Sequence, residues 1–170
     1  GRDVARSTIG MGWAGNVWYG VERWIEAEET WAEMCQRIPE DRRTEVRSES
    51  IIIEPEATLE RLCAFIGVPY SPAMMSYAEK STYDKPDPKL TAQWKRKMSE
   101  EDIRILEARI GPMLEARGYE LSGLPPLEIT PGMRERFKRE DWRNRLQFRA
   151  RRYGWPLLIA EYTTRKAHIT

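Results

Sequence analysis

The chain has 170 residues, enough for one domain with a core of its own. Hydrophobic residues make up 41% and charged residues 32%, an ordinary globular composition, and seven Trp with seven Tyr argue against a disordered chain. The net charge of +1 conceals a division: residues 1–130 carry 17 basic and 23 acidic side chains (−6), residues 131–170 carry 11 and 4 (+7).

Further classes fall away on particular residues. The longest apolar runs, Ile51–Ile53 and Leu157–Ala160, are far too short to span a membrane. The given sequence shows no signal-peptide pattern, which decides little in a chain that starts with Gly1; the location is left open, with a cytoplasmic one favoured. The chain begins with Gly1 rather than Met, so its natural beginning is expected to lie upstream. Cys35 and Cys63 are far apart and the one histidine is His168, so no metal site is expected and both cysteines read as buried thiols.

In chain order, Asp3 is placed to cap a helix beginning at Val4, and Gly10, Gly12 and Gly15 loosen the next stretch. A long amphipathic helix is predicted after it. Val17, Val21, Trp24, Ile25, Trp31, Cys35 and Ile38 form its stripe, with Ala27 and Met34 at the edge. Trp24, Trp31 and Met34 are expected in the core. Glu28 interrupts the stripe, Glu22, Glu26, Glu29 and Glu33 form the solvated face, and Pro39 ends the helix.

Residues 42–53 read as a strand, with Thr44, Val46 and the Ile51–Ile53 triplet. Pro55 opens a helix bearing Leu59, Leu62, Cys63 and Ile66, and Gly67 stops it. A short helix follows Ser71-Pro72, and residues 80–89 read as a loop. Ser99 and Asp102 resemble a capping box ahead of Ile103, Leu106, Ile110, Met113 and Leu114, with a kink expected at Gly111-Pro112. Residues 122–132 form a Pro-rich linker. The basic tail, 133–170, is expected to make helices over 134–152 and 156–166. One strand cannot make a sheet, so its partners are expected in sequence upstream of Gly1.

Three segments resemble the sulfotransferase family that uses the donor PAPS. The first is Asp3-Val4-Ala5-Arg6-Ser7. In that family an Arg at a strand end and the Ser that follows on the next helix hold the donor's 3′-phosphate, which implies Ser7 as a phosphate ligand. The matching Arg would precede Gly1, and Arg2 and Arg6 do not fill its position. The second segment runs from Arg47-Ser48-Glu49-Ser50-Ile51 through Glu54-Pro55 to Phe65-Ile66-Gly67, with Ser48 where the family usually has Tyr. The third comprises Lys80-Ser81-Thr82, Lys85-Pro86, Trp94 and Gly111-Pro112-Met113-Leu114, and looks most like the tyrosylprotein branch and its bacterial relatives. It implies Ser81 as a donor ligand. Gln93 stands where the branch has Lys before Trp94, which leaves Lys85 or Lys95 for that role.

The resemblance covers about residues 1–121 and implies the family's P-loop-like α/β fold. This chain would be its mostly α-helical C-terminal part, with about one visible strand. It further implies sulfuryl transfer from PAPS, leaving PAP, to an acceptor hydroxyl or amine. The donor loop and catalytic base belong to the family's N-terminal half, so no residue here is assigned as catalytic and the isolated chain is expected to be inactive. Two alternatives stand beside it: a noncatalytic helical interaction module, and a nucleic-acid binder acting through the basic tail. The latter is disfavoured because basic and aromatic residues do not alternate as base stacking requires.

Overall fold

In the computed structural model, residues 1–79 and 87–167 are described, with the side chains of 77–79 and 165–167 set aside. Nine α-helices occur among them: α1 (Arg2–Gly10), α2 (Val17–Gly20), α3 (Glu22–Cys35), α4 (Ser48–Ile53), α5 (Pro55–Ile66), α6 (Trp94–Lys97), α7 (Glu100–Ala116), α8 (Pro131–Tyr153) and α9 (Trp155–Ala167). Short 3-10 segments cover Glu40–Arg42, Pro72–Glu79 and Pro88–Leu90. The chain forms two units, Gly1–Glu28 with Lys97–Thr170, and Glu29–Arg96.

The expected strand over 42–53 is not formed. Arg43 and Arg47 keep extended dihedrals, but Ser48–Ile53 is α4. A strand must hand its N–H and C=O groups to a neighbour, and no strand is present among the described residues. The segment satisfies them locally instead: Ser50 N–H donates to the Arg47 carbonyl at 3.0 Å and Glu54 N–H to Ser50 at 2.9 Å. The Thr58 hydroxyl of α5 adds a bond to the Ser50 carbonyl at 3.1 Å. In the same unit α5 starts at Pro55 and ends on Gly67 at φ +81°, as the sequence signals require.

In the first unit the core is built on α7. Ile103, Ile105, Leu106, Ile110 and Leu114 are buried, together with Ala5, Val17, Val21 and Phe137. Ser99 caps α7 by accepting the Asp102 N–H at 3.1 Å, and the helix continues through Pro112 to Ala116. Helix α1 starts at Arg2, with Gly1 rather than Asp3 as its cap. Asp3 instead sits in the first turn, where a carboxylate favours the positive end of the helix dipole.

The long helix expected from Val17 is divided. Asn16 caps α2 through its Oδ1, 3.1 Å from the Tyr19 nitrogen, and Val21 separates α2 from α3. Gly20 lets the backbones of α1 and α2 meet, and the buried Thr8 hydroxyl lies 2.8 Å from the Ala5 carbonyl and 2.7 Å from that of Gly20. Glu28, the odd residue in the apolar stripe, pairs with Arg117 just beyond α7. Glu22 pairs with Arg109, whose guanidinium also covers the Trp18 ring at 4.7 Å. In the second unit Trp31 is half-buried and Met34 is exposed rather than in a core, as nothing among the described residues encloses that end of the stripe.

Helix α8 clasps the glycine turn near the start of the chain. Phe137 is buried against the core and stacks on Trp18 at 5.5 Å. The buried Asp141 carboxylate accepts the Gly15 N–H at 2.6 Å, Asn144 donates to the Gly15 carbonyl at 2.8 Å, and Asn16 donates to the Phe137 carbonyl at 2.7 Å. A Cβ on Gly15 would stand 2.4 Å from the Asp141 carbonyl oxygen and 2.7 Å from its Cα. At Gly12, with φ +73°, it would strike the Phe148 ring.

A buried ion pair closes the same unit. Arg2 is 5% exposed and donates to Glu107 at 2.6 Å and to the Glu120 carbonyl at 2.8 Å. Glu107 also accepts from the Ser122 N–H at 2.8 Å and from its hydroxyl at 2.6 Å. Residues 122–130 follow the core surface: Arg104 donates to the Pro125 carbonyl at 2.8 Å, and Leu127 and Ile129 pack inward.

Two stability measurements test this packing. Gly15→Ala should cost about 1–3 kcal/mol in urea unfolding, because backbone must move, whereas Gly10→Ala should be near neutral, with nothing within 4 Å of its Cβ. Equal stability of the two variants would contradict the clasp. Glu107→Ala strands a buried guanidinium and should cost about 3–5 kcal/mol, while Glu40→Ala, on an exposed pair with Arg43, should cost less than about 1.

Candidate functional site

Ser7 lies on the solvent side of α1. The buried positions of that helix are Arg2, Ala5 and Thr8, and Val4, Ser7 and Gly10 run along the opposite face at the same spacing. The Ser7 carbonyl accepts the Met11 N–H at 3.0 Å, and the residue is exposed. A hydroxyl there offers one neutral donor to an incoming phosphate. Arg2 cannot join it, because its guanidinium is committed to Glu107 and Glu120. Arg6 is the other cation of the helix and is half-exposed.

Lys95 lies in the second unit, on α6, exposed, with its ammonium 5.5 Å from the Trp94 ring centre. Trp94 itself is buried. Ser81 and Lys85 fall outside the described residues, as does most of the 80–89 loop. Ser7 and Lys95 therefore belong to separate units, and Ser48, in the position of the family's Tyr, is exposed in the first turn of α4.

A cleft of about 250 Å³ in the first unit has the wrong sign for an anionic donor. Glu101, Asp102 and Glu140 line it against the single cation Arg136, which already reaches Glu101 at 3.3 Å and Glu140 at 3.7 Å. A polyanion would meet net negative charge there. Among the described residues no group of three or more His, Cys, Asp or Glu is arranged to hold a metal ion, and no helix is long and apolar enough to cross a membrane. Cys63 is buried and Cys35 half-buried, both as free thiols.

Sequence reasoning passed over Tyr70. Its ring is half-buried, yet the hydroxyl oxygen is enclosed with no hydrogen-bond partner among the described residues. Desolvation pushes its pKa above the ordinary phenol value, and the Glu56 and Glu60 carboxylates and Cys63 add to the rise. No spacing or motif signals such a group; only the packed structure reveals it. A phenol whose folded pKa is raised holds its proton longer folded than unfolded. Its contribution is whole below the unfolded value near about 10 and is lost as pH rises through the folded one. Tyr70→Phe should therefore flatten the fall in urea midpoint as pH rises above about 10, and should leave the melting temperature at neutral pH unchanged or higher. An identical alkaline slope in both proteins would show that the enclosed hydroxyl does not titrate this way.

Comparison with known proteins places one segment. No curated protein matches the chain, and no solved structure matches it. Residues 2–72, a stretch that begins one residue before Asp3 and contains Ser7, α4 and α5, match the model of the sulfotransferase family.

Proposed function

We propose that this chain is the C-terminal part of a PAPS-dependent sulfotransferase and that Ser7 binds the donor's 3′-phosphate. The observation that carries the reading is the sulfotransferase match over residues 2–72, which includes the Asp3–Ser7 segment, combined with the exposure of Ser7 on the open face of α1. PAPS, when bound, supplies the sulfuryl group, and an acceptor hydroxyl or amine receives it. Within this chain Ser7 donates a neutral hydrogen bond to the phosphate, and α1 fixes its position through the Arg2–Glu107 anchor beneath it.

In-line sulfuryl transfer also requires cations on the leaving phosphate and a base for the acceptor. The donor loop and that base are assigned to sequence upstream of this chain. The closer resemblance to the tyrosylprotein branch rests on Lys80-Ser81-Thr82 and on Trp94, with Ser81 and either Lys85 or Lys95 as further donor ligands. The division of the chain into a sulfotransferase part over 1–121, a linker over 122–132 and a basic tail belongs to the same proposal.

Exposed apolar residues in the second unit support a larger assembly. Ile53 is 58% exposed and Ile66 68%, and Ile51, Phe65 and Val68 are exposed as well. A domain that continues in further sequence covers such residues. They equally favour a second reading, a noncatalytic helical module that docks a partner there.

Nucleotide binding separates the two. In the polypeptide carrying the upstream donor loop, Ser7→Ala should weaken PAP binding at least several-fold by calorimetry, as expected for a lost hydrogen bond to a charged phosphate. Unchanged affinity would remove Ser7 from the site. If the wild-type polypeptide takes up no PAP at all, the helical module becomes the account to keep.

A further inference from the structure

Helix α9 carries an apolar stripe that is largely exposed. Trp155, Leu158, Ile159 and Tyr162 fall at the i, i+3, i+4, i+7 spacing of one helix face. Trp155 is 57% exposed, Ile159 61% and Tyr162 62%, and Leu158 is half-buried. The ion pair between Glu161 and Arg149 of α8 fixes the helix from another side and leaves the stripe outward. Two more aromatic residues, Trp142 and Tyr153, stand exposed on the face of α8 opposite Phe137, Asp141 and Phe148.

Two cations stand at the end of α8 that leads into α9. Arg151 and Arg152 are exposed in the last turn of α8, directly before the Gly154 hinge, and the Arg152 guanidinium lies over the Tyr153 ring at 5.8 Å. Residues 131–170 hold 11 basic side chains against 4 acidic.

We propose that α9 and the end of α8 form a docking surface for an anionic lipid bilayer, lying in its interface. A basic amphipathic helix with Trp and Tyr along its apolar face has the chemistry of a membrane-surface element: aliphatic residues enter the acyl boundary, aromatic rings sit at headgroup level, and Arg side chains reach the lipid phosphates. Other occupants fit less well. A second copy of this chain would set one positive tail against another. Nucleic acid would use the cations but leave Ile159 and Leu157, 61% and 64% exposed, without a role.

The test is co-sedimentation of the full 170-residue chain with vesicles of phosphatidylcholine alone and of phosphatidylcholine with about 30% phosphatidylserine. The anionic vesicles should bind several-fold more protein, with a blue shift in Trp emission, and added salt should reduce binding. Ile159→Asp, an exposed site, should lower partitioning about tenfold with an unchanged circular dichroism spectrum, and Arg151→Glu with Arg152→Glu should remove the preference for anionic vesicles. Absence of binding to either vesicle overturns the proposal, as does wild-type binding by Ile159→Asp, which would mean charge attraction alone. Concentration-dependent dimerisation abolished by Ile159→Asp would instead assign the stripe to a second copy of the chain.

Discussion

The first unit depends on one buried charge pair. Arg2 and Glu107 stand 105 residues apart in sequence, and both side chains are largely buried, so each charge is compensated by the other rather than by water. Their pairing ties the start of α1 to the middle of α7, and the second carboxylate oxygen holds Ser122 where the chain leaves α7. Such a pair adds little net stability over apolar residues of the same shape, but it tolerates very few alternatives. It sets which face of α1 turns inward. Ala5 and Thr8 follow Arg2 into the core, and Ser7 is left outside with Val4. The exposure of Ser7, the described hydroxyl in that unit implied by family resemblance, goes with this inward turn of Arg2.

Much of the helical layout is legible in the sequence. Helices α5 and α7 announce themselves with Pro55 and Gly67, and with Ser99 and the spacing of Ile103, Leu106, Ile110 and Leu114, because end signals and periodicity agree. The strand expected over 42–53 fails for an instructive reason. Three consecutive isoleucines favour a pleated backbone only when another strand accepts their amides, and α4 forms where no such partner exists among the described residues. Glu28 looks like a flaw in an apolar stripe because its partner Arg117 is 89 residues away. The close approach of α1 and α2 at Gly20 is hidden likewise, since its partners Ala5 and Thr8 lie on another helix.

The candidate site is legible only through resemblance. Nothing in the pattern of α1 distinguishes Ser7 from any serine on a helix surface; its proposed role comes from the resemblance of Asp3–Ser7 to the family, and the family match over residues 2–72 spans that position. Ser81 and Lys85 lie outside the described residues, so the proposed donor contacts that the structure describes reduce to Ser7 and Lys95, in separate units. The acidic cleft beside Trp18 is a useful contrast. It is the more enclosed feature, yet its charge is unsuited to a sulfated nucleotide.

The clasp of α8 on the glycine turn has a bearing on how the protein comes into being. Gly15 finds its Asp141 partner 126 residues later in the chain. During synthesis α1 and α2 leave the ribosome long before the helix that seals them, and Trp18 has no Phe137 to stack on until then. Contacts this distant in sequence close slowly. The early helices accordingly wait through more than a hundred residues of synthesis for the contacts that α8 brings to them.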